Sequence, residues 1–238
     1  MKKILILIAF VSMFFSCGQN QKSNKEAEVD SIKSSKLIAL SFDDGPNTTT
    51  TVQMLDMLEK HGIKGSFYVI GKNINDSSAV VMKRAFNMGC DIQNHSFTHR
   101  AINTLTVEEI KEEIAKTSAL IVEHIGVEPT FFRPPYIAYN QMMFDNIDLT
   151  FISGIGIEDW VPSVTAEERA KRMLDIAADG VIYLLHDFVG NDATVQALDI
   201  AIPQLKAQGY QFVTVPELFK AKNITSERNK IYSNVLTD

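Results

Sequence analysis

At 238 residues, 45% of them hydrophobic, the chain is long enough for one large domain with a substantial core. Its formal net charge of −6 offers no basic field to displace counterions from phosphates, which argues against a nucleic-acid partner. Two cysteines, Cys17 and Cys90, are too few for a disulfide framework, and no glycine-rich phosphate loop of the Walker or dinucleotide type is present.

Lys2 and Lys3 precede an apolar-rich run from Ile4 to Phe15, followed by Ser16-Cys17-Gly18. The run falls short of the roughly 20 apolar residues that span a bilayer. It has the form of a signal-peptide core behind a positive n-region. The Phe14-Phe15-Ser16-Cys17 end resembles a bacterial lipoprotein signal with Cys17 as the lipidated first residue, although Phe15 is larger than the residue usual there. Ordinary cleavage that leaves a free thiol is the alternative. Residues 1–16 are therefore expected to be a signal peptide and residues 17–35 a flexible polar tether rich in Ser, Lys, Asn, Gln and Glu. The mature protein is expected to be exported and held by lipid on a membrane of the cell envelope, as a monomer. Cys90 then lacks a partner and reads as a small buried apolar residue.

From Leu37 the chain alternates strands and helices. Leu37-Ile38-Ala39-Leu40 is a strand running into Ser41-Phe42-Asp43-Asp44, and Gly45-Pro46 ends it. Thr49 to His61 places Val52, Leu55 and Leu58 on one helical face, closed by Gly62. Gly65 to Ile70 reads as a strand, Ser77 to Met88 as a helix ended by Gly89, and Cys90 to Gln93 as a short strand leading into His95. Thr106-Val107-Glu108-Glu109 is a capping box opening a long helix, and Thr165-Ala166-Glu167-Glu168 opens another that runs to about Ala178. Between them, Thr130 to Arg133 and Leu149 to Ser153 are strand-like. Val181 to Leu185 is a strand apolar at every position but Tyr183, as a strand buried on both faces should be. A helix over Thr194 to Gln208, a strand over Gln211 to Thr214 and a short helix over Val215 to Phe219 follow. Residues 36–220 are thus expected as one α/β domain, and residues 221–238 as a polar tail that frays.

Seven strands alternating with helices predict a parallel sheet, with a TIM-like barrel close to (β/α)8 as the economical closure and an open doubly wound sheet as the alternative. Either fold gathers chemistry at the carboxyl ends of its strands. Asp43 and Asp44 follow the first strand, His95 and His99 the third, Arg133 ends the fourth, Asp159 lies beyond the fifth, and His186 ends the sixth. All of these candidates fall on one rim.

Adjacent carboxylates repel one another and lose solvation, so Asp43-Asp44 is either a solvated Asp-Gly turn or a pair of which a cation takes one, leaving the other as a base. His95 and His99 are spaced as on one helical turn, which would aim both imidazoles the same way. Two histidines and one aspartate make a three-ligand site open to water. Arg133 precedes Pro134-Pro135-Tyr136, a stiff segment, and can orient a carboxylate through two parallel bonds. His186 reads either as a core histidine or as a titrating group. Trp160 reads either as a core aromatic or as a sugar-stacking wall.

The motifs SFDDGP, NHSFTH, RPPY, EDW and LLHD, in this order between Leu37 and Phe219, resemble those of the polysaccharide deacetylases, the NodB-homology enzymes of carbohydrate esterase family 4. The resemblance implies a distorted (β/α)7 barrel, a divalent metal (Zn2+, or Co2+ or Ni2+) and hydrolysis of acetyl groups on a polysaccharide. It makes Asp44, His95 and His99 the metal ligands, Asp43 the general base and Arg133 its orienting partner. It also makes the Tyr136 N–H an oxyanion donor, His186 the general acid and Asp159 the group that tunes it. Tyr136, Trp160 and Leu184 would line the substrate site. Three positions depart from the usual pattern. Gly156 stands where an Asp is usual four residues before the Trp, which leaves Asp159 as the carboxylate near His186. Ile137 replaces a common Gly, and Gln93 a common small residue, so each is a candidate for narrowing the groove.

The expected function is removal of N-acetyl groups from an amino-sugar polymer such as peptidoglycan or a chitin-like oligosaccharide, with acetate release. An O-acetyl esterase acting on xylan or another glycan is the close alternative. A non-catalytic glycan-binding lipoprotein is disfavoured because binding alone has no need of both Asp43 and His186. A phosphoesterase usually wants more carboxylates and often a second metal.

Overall fold

The structure is a computed structural model that describes residues 36–236, so Cys17, the expected signal peptide and the expected tether lie outside the described residues. In chain order the elements are β1 (Lys36–Asp43), α1 (Thr50–Lys60), β2 (Ser66–Val69), α2 (Asp76–Asn87), β3 (Asp91–Asn94), α3 (Val107–Ile125), β4 (Phe131–Phe132) and α4 (Gln141–Asn146). They continue with β5 (Thr150–Ile152), β6 (Ile155–Gly156), α5 (Ala166–Asp175), β7 (Ile182–His186), α6 (Asp192–Ala207), β8 (Tyr210–Val213), α7 (Val215–Ala221) and β9 (Ile231–Tyr232).

Polar caps set the helix starts. Asn75 accepts from the Ser77 and Ser78 N–H groups at α2, and Thr106 and Glu109 form a reciprocal capping box at α3. Thr214 and Glu217 form a second such box at α7, whereas at α5 Thr165 accepts the Glu168 N–H without the return bond that a capping box would have. The strands are all parallel, and β1 is the central one, buried from Leu37 to Asp43. Its C-terminal half lies between β2 and β7, while its N-terminal half pairs with β8. Because side chains alternate, Ile38, Leu40 and Phe42 pack into the sheet–helix layer with Met54, Leu58, Leu198 and Ile202, and Ser41 and Asp43 turn inward.

The sheet closes through one bent strand. β5 pairs with β4, β6 pairs with β7, and only Ser153-Gly154 separates the two. Gly154 takes φ +71°, and a Cβ there would come within 3.1 Å of Arg133 Nη2 and 3.2 Å of the Ile182 carbonyl. A side chain fits neither the backbone nor the space at this bend. The result is the distorted (β/α)7 barrel rather than an open doubly wound sheet.

The chain beyond Lys220 does not fray as expected. Ile231–Tyr232 adds to β5 as β9, Tyr232 meets the Phe219 ring edge-on at 5.0 Å, and the buried Val235 donates its N–H to the Gly180 carbonyl at 2.9 Å. The apolar residues of this segment are isolated, so no period in the sequence signals the pairing that long-range contacts bring about.

Candidate active site

β1 delivers two adjacent carboxylates to different surroundings. Asp43 is buried, and its Oδ1 takes a 2.6 Å bond from Arg133 Nη1. Arg133 Nη2 donates to Ser41 Oγ at 2.7 Å, and Ser41 in turn donates to the Tyr183 carbonyl, so the guanidinium is held in one orientation. Its plane lies over the Tyr68 ring, 4.3 Å from the centroid. Burial alone would raise the Asp43 pKa, but Arg133, with His95 and His186, holds the carboxyl below its ordinary range.

Asp44 turns away from Asp43 because its φ is +81°, a conformation an aspartate tolerates and one that Asn73 fixes by donating to the Asp44 carbonyl at 2.8 Å. One ligating atom each from Asp44, His95 and His99 falls within 4.8 Å of the others. His95 Nδ1 lies 2.7 Å from the Arg133 carbonyl, which can only accept, so Nδ1 carries the proton and Nε2 keeps its lone pair for the cluster. His99 Nε2 lies 3.3 Å from Asp44 Oδ1, and burial keeps its pKa low. Asp44 Oδ1 is buried with no hydrogen-bond donor. An orphaned carboxylate oxygen facing two imidazole lone pairs fits a divalent cation.

The two histidines do not share a helical turn as their spacing suggested. The segment is a loop in which Ser96 and His99 take φ +65° and +61°, and Ser96 Oγ accepts the His99 N–H at 3.1 Å. Convergence comes from these left-handed residues. Glu113 of α3, buried at 3% exposure, supports the loop by accepting the Phe97 and Thr98 N–H groups at 2.9 and 2.8 Å and the Thr98 hydroxyl at 2.7 Å. Asp187 braces the other side of the loop after β1, accepting from the Gly45 N–H and the Thr51 hydroxyl.

His186 stands on the opposite wall. Its Nδ1 is 2.8 Å from Asp159 Oδ1, and its backbone N–H donates to Asp159 Oδ2 at 2.7 Å. Asp159 is fully buried, and Asn191 and Thr194 also donate to its Oδ2. Burial of His186 opposes its charged form, yet the Asp159 bond and charge, with Asp43 and Asp44, raise its pKa to about 9.

A cavity of about 500 Å³ joins these groups, lined by Asp43, Asp44, His95, His99 and His186 below and by Tyr136, Ile137, Trp160, Leu184 and Phe188 above. Trp160 is half exposed and meets the His186 ring edge-on at 5.5 Å, so it walls the cavity instead of filling the core. A Cβ on Gly156 would lie 3.1 Å from the Trp160 ring, so that ring takes the space beside the position where an Asp is usual. Tyr136 and Ile137 follow Pro135 with φ +59° and +53°, and among the described residues no acceptor takes the Tyr136 N–H. A β-branched residue rarely adopts such a φ, so Ile137 holds its place on the cavity wall under strain. Gln93 does not narrow the groove. It is buried beside β4, where Oε1 accepts the Thr130 and Phe131 N–H groups and Nε2 donates to Asp91.

Asp43, Asp44, His95, His99, Tyr136, Trp160, Leu184 and His186 line this cavity, and Arg133 and Asp159 stand one hydrogen bond behind it, whereas Gln93 lies away from it. Ser41, Glu113, Asp187, Asn191, Thr194 and Arg169 were not anticipated. Glu113 and Arg169 did leave a trace, since each is a charge on the buried stripe of its helix (Ile110, Glu113, Thr117, Ile121 and Ala166, Arg169, Ala170, Met173).

The family profile described as Polysaccharide deacetylase matches residues 30–149. A bifunctional xylanase/deacetylase of Pseudobutyrivibrio xylanivorans is 44% identical over 98% of this chain, which spans 37% of that protein. A peptidoglycan-N-acetylglucosamine deacetylase of Listeria monocytogenes is 34% identical over 93% of this chain and 47% of its own length. Among solved structures, a family 4 acetyl xylan esterase from Clostridium thermocellum in complex with a cobalt ion superposes with a TM-score of 0.82 at 41% identity, covering 84% of this chain and 99% of that one. The chain thus spans about a third to a half of the curated relatives named here. With the barrel, the motifs at its strand ends and these matches in agreement, the chain belongs to the polysaccharide deacetylase family, the NodB-homology enzymes of carbohydrate esterase family 4.

Proposed function

We propose that this chain removes acetyl groups from an acetylated polysaccharide, with one divalent cation held by Asp44, His95 and His99. The observation that carries this reading is a single cavity that holds the Asp44, His95 and His99 cluster, with Asp43 paired to Arg133 on one wall and His186 paired to Asp159 on the other. A divalent cation, with zinc the best match to two imidazoles and a carboxylate, supplies Lewis acidity toward an acetyl carbonyl and toward water. Asp43 takes the proton of the attacking water, and Arg133 and Ser41 keep its acceptor oxygens aimed. The Tyr136 N–H, which meets no acceptor among the described residues, donates to the oxyanion, an interaction worth about 3–4 kcal/mol. His186 gives its proton to the leaving oxygen or nitrogen, and acetate is released.

Acetylated xylan is the favoured substrate, because the relatives above 40% identity carry xylan in their names while the peptidoglycan deacetylase stands at 34%. An N-acetylated sugar polymer is the second reading, supported by the high pKa of His186, since an amide nitrogen must be protonated as it leaves. The test is acetate release from acetylated xylan oligomers, N-acetylglucosamine oligomers and peptidoglycan, each with and without chelator. Release that stops with chelator and returns with zinc is expected, fastest on xylan. No release from any substrate overturns the proposal, and chelator-insensitive release overturns the metal. His99→Ala should lose the metal by elemental analysis. The short apolar run before Cys17 supports lipid anchoring in the cell envelope, and mass spectrometry of the N-terminal peptide from the native host tests it.

A further inference from the structure

Arg169 is a buried cation that the chemistry above does not use. On α5 it is 3% exposed and makes no direct ion pair; its Nε and Nη2 donate to the carbonyls of Val164 and Val161 at 3.0 and 3.1 Å. Both carbonyls belong to the segment that follows Asp159 and Trp160. Its Nη1 donates to Asn191 Oδ1 at 2.6 Å and to Thr194 Oγ1 at 2.8 Å.

A guanidinium has donors and no acceptor, so each of these contacts fixes a direction. Thr194 Oγ1 must accept from Arg169, which leaves its only proton for Asp159 Oδ2 at 3.1 Å. Asn191 must present its carbonyl to Arg169, which turns its NH2 group to Asp159 Oδ2 at 3.3 Å and to the His186 carbonyl at 2.9 Å. With the His186 N–H, Oδ2 then receives three donors, and Oδ1 remains for the imidazole. Were Arg169 absent, the amide could flip and the hydroxyl rotate, and a fully buried Asp159 would lose both donors and its nearby positive charge.

We propose that Arg169 is a positioning residue for His186, acting through Thr194 and Asn191 to hold the Asp159 carboxylate in place with its Oδ1 on the imidazole Nδ1–H. The proposal rests on the reading of His186 as the proton donor. Asp43 and Asp44 face His186 from the end of β1, and Asp159 faces it from the segment before α5, with Arg169 behind it. Asp187, next along its own chain, turns its carboxylate to Gly45 and Thr51. Removing Arg169 therefore leaves the carboxylates that face His186 in the sequence and takes from Asp159 its two relayed donors and the positive charge behind them.

The test uses metal-loaded protein with labelled histidine and the variants Arg169→Met, Arg169→Lys and Thr194→Val. In Arg169→Met the midpoint of His186 deprotonation, followed by nitrogen NMR, should fall by about one pH unit. The basic limb of kcat should move down with it, with KM and metal content unchanged; one unit corresponds to about tenfold in the protonated fraction above the midpoint. Thr194→Val, which keeps the shape and removes the hydroxyl, should move both in the same direction by less, and Arg169→Lys should restore part of the loss. Folded variants that lose thermal stability but leave the His186 midpoint in place would show Arg169 to be structural only. Thr194→Val decides the matter if Arg169→Met does not fold. If no substrate yields acetate, the NMR titration still tests the network, so its failure and that of the proposed function are separable.

Discussion

The two walls of the cavity solve opposite problems with the same materials. On the β1 wall, Asp43 is buried against a guanidinium at 2.6 Å, and direct contact keeps it a carboxylate ready to accept a proton. On the β7 wall, the buried carboxylate is Asp159, its cation stands one hydroxyl and one amide away, and the imidazole it faces is kept charged and ready to give a proton. The difference lies in how near the compensating charge sits. A guanidinium touching the carboxylate uses up its acceptor capacity on that side, whereas a relayed one leaves Oδ1 for histidine. The proposed base and the proposed acid thus acquire pKa values shifted in opposite directions in one site about 500 Å³ in volume.

The comparison breaks most completely at Asp43. Asp43→Asn keeps the shape and removes the proposed base, so deacetylation of amide and ester substrates should fall together by about 10⁴-fold at fixed metal occupancy. Steady-state rates on an N-acetylated sugar and an activated acetate ester check this, and a variant that loses only one of the two activities refutes the assignment. His186→Ala should divide them instead. A leaving amide nitrogen must be protonated and claims the upper part of the roughly 10²–10⁴-fold range of general acid help, while an activated ester's leaving group retains part of its rate. Equal losses on both substrates would make His186 structural.

The smallest effect is on stability. In chelator-treated protein, where no cation screens the carboxylates that face it, the His186 pKa stands raised from 6.5 to about 9. A raised histidine stabilises the fold fully below about pH 6.5 and loses that contribution as pH climbs through 9, a change of about 3 kcal/mol. Urea unfolding of wild type and His186→Ala across that window should show the difference between them shrinking toward high pH. A constant difference would mean that Asp159 does not hold the proton in place.

Much of the cavity was legible in the sequence because its groups sit at strand ends, where local pattern and function coincide. Asp43-Asp44 closing β1, His95 and His99 after β3, Arg133 after β4 and His186 closing β7 all follow from alternating apolar runs and the turn residues that stop them. The helix starts were legible for the same reason, since Thr106 with Glu109 and Thr165 with Glu168 satisfy backbone donors three residues away. That Asp159 meets His186 was only what the family resemblance implied, and which oxygen meets which donor was not readable.

Tertiary structure alone decided the rest. Spacing suggested a helical turn for His95 and His99, but left-handed residues in a loop bring them together, held by Glu113 from a distant helix. Ring closure at Ser153-Gly154 and the pairing of β9 depend on strands far apart in the chain. Arg169 and Glu113 show the limit most clearly. Helical periodicity places both charges on a buried stripe, yet the partners that make such burial tolerable, Asn191 and Thr194 for one and the Phe97–Thr98 backbone for the other, arrive only with the fold. A period in the sequence reports which face is turned inward. What that face meets there is set by contacts between distant segments, because local propensity acts over a few residues and burial acts over the whole chain.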